Sequence, residues 1–169
     1  GYYESMFYSF FSPRDLDMLK YPEDAPERNA IRIMNPISED LSLMRTTLAP
    51  SMVNAAVRNL RRGNTAGRFF EIARKFIPKS LPLTDYPEEH MMLSVGVFGD
   101  GETFFTAKGA IETVADTFNL KFTCERGEKP FLHRGRTANV LLGDTVVGYL
   151  GRLSYEVCEE LAIEKPVFV

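Results

Sequence analysis

The stretch from Leu48 to Ile77 constrains the fold most, because a helix signal passes almost directly into a strand signal. Leu48, Met52, Val53, Ala56, Val57 and Leu60 recur at i, i+3, i+4 spacing and mark one buried stripe of a helix over 48–62. Thr46 or Thr47 can cap it, Pro50 suits its first turn and Gly63 ends it. From Arg68 to Ile77 the period changes to two, which predicts a long strand. Phe70, Ile72 and Phe76 share one face of it; Phe69, Glu71, Ala73 and Lys75 share the other.

The rest of the chain reads as more strands than helices. Tyr2 to Phe11 is a strongly β-prone run. Ser12-Pro13 opens a short helix as N-cap and first residue, and Lys20 to Asn29, with Pro22 and Pro26 among charges, is a loop. Strands are expected at Ala30–Met34 and Leu41–Arg45 around the Asn35-Pro36 turn. Pro78, Pro82 and Pro87 mark a long loop up to His90, and Met92–Phe98 is apolar enough for a central strand. A second amphipathic helix covers Thr106–Asn119, with Ala107, Ile111, Val114, Ala115 and Phe118 inward. Lys121–Cys124 is a short strand, and Thr137–Leu142 with Thr145–Leu150 forms a hairpin around Gly143-Asp144. Ser154–Leu161 is a short helix and Val167–Val169 the last strand. Hairpins with few, unevenly spaced helices predict α+β with an antiparallel sheet rather than a doubly wound parallel one.

At 169 residues and 44% hydrophobic, the chain is too apolar for disorder and long enough for one domain with its own core. Its two cysteines, Cys124 and Cys158, are too few for a disulfide scaffold and lack ligand-spaced neighbours, so both are expected as buried, reduced thiols. No apolar run approaches the ~20 residues of a membrane span, so no membrane partner is expected. The apolar character of both ends reads as one domain, residues 1–169, of a longer polypeptide.

Charge is unevenly placed. Residues 45–79 hold eight bases and one acid, a balance of +7 that leaves −10 for the remainder of a chain at −3 overall. Arg58, Arg61 and Arg62 fall on the face opposite the apolar stripe, where they can meet a phosphate backbone or a carboxylate-rich partner. They also complement the helix dipole, by ~0.3–1 kcal/mol each when exposed. His133, beside Arg134 and Arg136, can bind an anion or bond its ring to backbone. His90, after Glu88-Glu89, reads as a solvated loop histidine. Neither histidine serves a Ser or Cys on a glycine-flanked turn, and Gly143, Gly148 and Gly151 lack the spacing of a phosphate loop. Gly148 and Gly151 instead read as sites of close backbone packing. The acidic pairs Glu39-Asp40 and Glu159-Glu160 read as solvated. A weaker alternative is an enzyme site near Arg45, Glu71 and Arg74.

Several stretches occur in an order that carries a family resemblance: Tyr8-Ser9-Phe10, then 35–48 (NPISEDLSLMRTTL), 59–63 (NLRRG), 68–76 (RFFEIARKF), 130–136 (PFLHRGR), 148–153 (GYLGRL) and Lys165-Pro166-Val167. Together they resemble the bacterial phenylalanyl-tRNA synthetase beta subunit, in its catalytic-like module. The resemblance implies a class II synthetase-like antiparallel sheet flanked by helices. It implies a cytoplasmic two-plus-two heterotetramer in which the alpha subunit activates phenylalanine, with ATP and Mg used by the whole complex and none by this domain. The beta module is implied to be a degenerate copy that supports assembly with the alpha subunit and other beta domains.

The residues agree with degeneracy. An active class II site sets an Arg of its second motif on the ATP α-phosphate, and ends a glycine-rich third-motif strand in Arg. Here Arg68-Phe69-Phe70-Glu71 is one residue longer than the usual Arg-x-Glu spacing, so Arg68 and Glu71 fall on opposite faces. The third motif has no counterpart, and no catalytic, cofactor-binding or metal-binding residue is assigned. Candidate contacts to tRNA or a partner remain Arg58, Arg61, Arg62, His133, Arg134 and Arg136. The principal reading is a non-catalytic structural domain; the alternative is a tRNA-binding module using the basic 45–79 stretch.

Overall fold

A computed structural model describes residues 1–169. The Ser12 hydroxyl accepts from the backbone N–H of Arg14, while the Asp15 carboxylate accepts from the Ser12 N–H, and this capping box opens helix α1 (Pro13–Met18). Helix α2 (Ala49–Arg61) buries the expected stripe; Met52, Val53, Ala56 and Val57 are fully enclosed. Its N-cap is Leu48, without a side-chain cap, and Thr47 accepts from the Ala49 amide at 3.4 Å. Helix α3 (Phe104–Thr117) starts from Thr103, whose hydroxyl accepts from the Thr106 amide, and α4 (Tyr155–Glu160) starts from Ser154.

Nine strands follow in chain order: β1 (Tyr3–Glu4), β2 (Phe10–Phe11), β3 (Leu43–Met44), β4 (Ala66–Ile77), β5 (Glu88–Gly99), β6 (Phe122–Arg126), β7 (Leu132–Leu142), β8 (Thr145–Leu153) and β9 (Val167–Phe168). Seven build the main sheet in the order β1-β4-β5-β9-β8-β7-β6, and β2 and β3 pair separately. Every pairing is antiparallel except β1 with β4. This is the α+β architecture expected from the hairpin signals. The β4–β5 hairpin is in register from Ala66 opposite Gly99 to Ile77 opposite Glu88. Gly143, at φ 61°, turns β7 into β8.

The two sheet faces are covered unequally. Helices α1, α2 and α4 pack a larger core on one face, including Leu16, Val53, Phe98, Leu153, Val157 and Val167. Helix α3 packs a smaller one on the other, around Val97, Ala107, Leu150 and Phe168.

Several expectations are corrected. The β-prone run at Tyr2–Phe11 yields two separate two-residue strands. Between them, the Phe7 amide donates to the Glu71 carboxylate and the Ser9 carbonyl accepts from the Arg45 amide, so this backbone leaves the sheet ladder. Ala30–Met34 is no strand: only Arg32 bridges to Leu43, because β3 is too short to pair more. β5 starts at Glu88, so His90 is an exposed strand residue beside Glu88 rather than a loop residue. Phe118 ends α3 exposed, at 69%. Cys124 is exposed on a sheet edge; only Cys158 is buried. Gly151 does permit close packing, since a Cβ there would meet the Arg136 carbonyl at 2.9 Å, but Gly148 faces open space.

On β4 the alternation is right, and Glu71 is far more buried than its neighbour Ile72. Glu71 is 3% exposed and Ile72 is 58% exposed. Hydrophobicity alone would turn Ile72 inward. The burial of Glu71 is decided by Arg45.

Candidate partner and nucleic-acid interface

Arg45 follows β3 and reaches across to β4. Its Nη1 lies 3.1 Å from Glu71 Oε1 and 3.3 Å from Oε2, with both side chains buried. Its Nε donates to the Arg74 carbonyl at 2.8 Å. These internal bonds make Arg45 and Glu71 a structural brace. Arg74 does not join the pair: it is exposed and binds Glu89 at 2.7 Å.

Two more bases of the 45–79 stretch are ion-paired. Arg68 binds Glu102 at 2.8 Å and lies over the Tyr2 ring, and Lys79 binds Asp85 at 2.8 Å. Thus four of the eight bases are ion-paired, and Arg58, Arg61, Arg62 and Lys75 are left without a carboxylate. The +7 of the sequence is not a +7 surface.

Arg58, Arg61 and Arg62 are exposed at the C-terminal end of α2, as the helical spacing predicts. Arg61 is fixed, its Nη2 donating to the Leu161 carbonyl at the end of α4 at 2.9 Å. His133 to Arg136 lie in a bulge of β7, between the pairs Leu132–Leu153 and Thr137–Gly151. There Nδ1 of His133 accepts from the Gly135 amide at 3.0 Å, and the ring packs edge-on against Tyr155 at 5.3 Å. The ring is therefore bonded to backbone, the structural alternative. Arg134 and Arg136 are exposed. Arg136 lines a cavity of about 600 Å³ with Glu102, Phe105 and Arg152.

The two basic groups stand at opposite ends of α4, since Arg61 touches Leu161 and His133 touches Tyr155. At ~1.5 Å per residue, this six-residue helix holds its ends about 9 Å apart. Its exposed Glu156, Glu159 and Glu160 are carried on the same helix, and Lys20 pairs with Glu156 and Glu160, leaving Glu159 unpaired. One continuous phosphate-binding stripe is not formed. The bulge was not legible in the sequence; the only local signal was Gly135, which relaxes the backbone beside the histidine.

Both arginines of β4 and its one carboxylate have partners within the chain. Arg68 and Arg74 already hold Glu102 and Glu89, and Glu71 holds Arg45. Arg68 and Glu71 have separate partners, in keeping with their placement on opposite faces. No three His, Cys, Asp or Glu side chains converge as a divalent cation would need. No helix is long and apolar enough to cross a membrane.

The fold matches pyrrolysyl-tRNA synthetase from Desulfitobacterium hafniense, with a TM-score of 0.73 at 16% identity over 99% of this chain and 59% of that one. That likeness establishes the class II synthetase fold. By sequence, the chain is 35% identical over its full length to the phenylalanine–tRNA ligase beta subunit of Clostridium acetobutylicum, and spans 21% of it. It is 35% identical to that of Moorella thermoacetica, covering 98% of this chain and 22% of the relative. For Pseudomonas syringae the identity is 32%, over 100% and 22%. The chain thus spans about a fifth of the length of these relatives. The family model for the phenylalanyl tRNA synthetase beta chain CLM domain matches residues 1–169, and the chain belongs to that family.

Proposed function

We propose that this chain is a non-catalytic structural domain of a phenylalanine–tRNA ligase beta subunit. In the complete cytoplasmic heterotetramer it supports assembly with the alpha subunit, and the whole complex attaches phenylalanine to its tRNA using ATP and Mg. The observation that carries this reading is on β4. Three of its four charged side chains are engaged within the chain, Glu71 by Arg45, Arg68 by Glu102 and Arg74 by Glu89, so neither arginine of β4 is left to grip a nucleotide on the sheet; Lys75 alone has no ion pair. ATP–pyrophosphate exchange in the presence of phenylalanine is the direct test. The chain alone is expected to show none above a no-protein control, and measurable exchange overturns the reading.

One observation favours the second reading, tRNA binding: Arg58 and Arg62 are exposed and pair with no carboxylate. Binding through them would weaken steeply with salt and vanish when Arg58, Arg61 and Arg62 become Ala. Absent or salt-insensitive binding removes this alternative. The unpaired Glu159 of α4 weighs against it.

A further inference from the structure

Ser42 stands just before β3 and is 4% exposed. Its carbonyl accepts from the Ile33 amide at 2.9 Å, but its hydroxyl bonds to no group of the chain. A hydroxyl this enclosed is ordinarily hydrogen-bonded. Ser42 lines a cavity of about 570 Å³ between the start of α1 and the 33–42 turn, a size usual for a small-molecule site.

Four charged side chains line the same cavity: Arg14, Arg32, Glu39 and Asp40. They are two cations and two anions, and no ion pair forms among them, whereas Arg28, Arg68 and Arg74 each find a carboxylate elsewhere. Their backbones are fixed. Arg14 follows the capping box of α1, Arg32 is bridged to Leu43, and Glu39 and Asp40 open a 3-10 turn over Glu39–Leu41. The guanidinium groups and the carboxylates are thus presented from separate segments around one space. Met34, 98% exposed, and Pro36 give that space an apolar wall.

We infer that this cavity binds a zwitterionic α-amino acid. Arg14, Arg32 and the Ser42 hydroxyl hold its carboxylate, Glu39 and Asp40 hold its ammonium, and its apolar side chain lies against Met34 and Pro36. Guanidinium groups meet a carboxylate through charge-assisted hydrogen bonds, and the serine hydroxyl adds a further donor. A phosphate dianion matches less well, because two carboxylates on the same cavity repel it. A purely cationic ligand leaves both arginines and Ser42 without an acceptor. The balance of charge therefore selects a small molecule carrying both signs. The arginines are exposed at the rim and Ser42 is buried, so the ligand enters carboxylate first. This site stands apart from the charged residues of β4, and its assignment does not rest on the assembly role proposed above.

The test is a nuclear magnetic resonance titration of the chain, read at the amides from Arg32 to Ser42. The probes are L-leucine, N-acetyl-L-leucine, which lacks the ammonium, L-leucinamide, which lacks the carboxylate, and inorganic phosphate. L-leucine is expected to shift these amides with saturation in the millimolar range, and to bind at least about tenfold more tightly than either derivative. Arg14→Ala combined with Arg32→Ala is expected to weaken it at least about tenfold. Ser42→Ala weakens it less, and Arg126→Ala, on β6, leaves it unchanged. Both arginines are exposed, so the double variant carries the test should Ser42→Ala fail to fold. Equal binding of N-acetyl-L-leucine, or displacement of L-leucine by an equal concentration of phosphate, reduces the site to an anion patch and overturns the proposal. Equal binding of L-leucinamide reduces it to a cation patch and does the same. No shift at ~10 mM L-leucine, or undiminished binding by the double variant, also overturns it. None of these readouts involves the alpha subunit or pyrophosphate exchange, so failure here is separate from failure of the functional reading.

Discussion

Arg45 and Glu71 lie 26 positions apart in sequence and 3.1 Å apart in the fold, as a buried ion pair that holds the N-terminal segment against β4. The Phe7 amide donates to the same carboxylate at 3.1 Å, and the Arg45 guanidinium also reaches the Tyr8 carbonyl at 3.4 Å. Removing one partner leaves an uncompensated buried charge. Glu71→Ala or Arg45→Ala is expected to cost about 3–5 kcal/mol, whereas Arg45→Met with Glu71→Leu costs less than either. Urea unfolding of the three variants measures this.

Gly99 closes β5 at φ 117°, and an added Cβ would stand 2.4 Å from the Thr65 carbonyl oxygen and 2.6 Å from Ala66 Cα. Both contacts are backbone and cannot rotate away. Gly99→Ala is expected to lose more than about 1 kcal/mol, while Gly109→Ala, in open space on α3, is neutral or stabilising. Thermal midpoints of the two variants compare them.

The two thiols differ in access. Cys124 is exposed; Cys158 is buried against the α2 core, and burial pushes its thiol above the ordinary value, with Arg152 opposing. A disulfide exchange reagent at neutral pH is expected to modify one equivalent quickly, at Cys124, and the second only on unfolding. Rapid modification of both in the native chain would contradict this placement.

Alkaline pH is expected to destabilise the fold. Burial raises the hydroxyls of Tyr21 and Tyr149 above the ordinary 10.0, with the neighbouring Tyr149 adding to the shift at Tyr21 and a bond to Thr47 opposing it at Tyr149. The unfolded chain then loses these protons first. Their contribution is complete below pH 10 and declines as pH rises from there toward the folded values. Thermal midpoints between pH 8 and 11 should fall more steeply in the parent chain than in Tyr149→Phe.

Much of the site was legible and some was not, for a local reason. The exposed face of Arg58, Arg61 and Arg62 follows from helical spacing, and the structure bears that spacing out. The neutralisation of the surrounding bases was not readable, because Arg68 and Arg45 find Glu102 and Glu71 far along the chain. The bulge that carries His133, Arg134 and Arg136 hid inside a run that alternates like any strand.

What the sequence by itself determined is the set of elements and the family. Apolar period, caps and turn residues act within a few positions, so α2, the separate strands β4 and β5, the β7–β8 hairpin and the α+β class followed from them, as did the resemblance carried by ordered motifs. The tertiary structure alone decided which face of β4 turned inward and which arginines stayed free. Each of these depends on pairing between distant segments, and a buried carboxylate gains its stabilising partner only when the chain has closed around it.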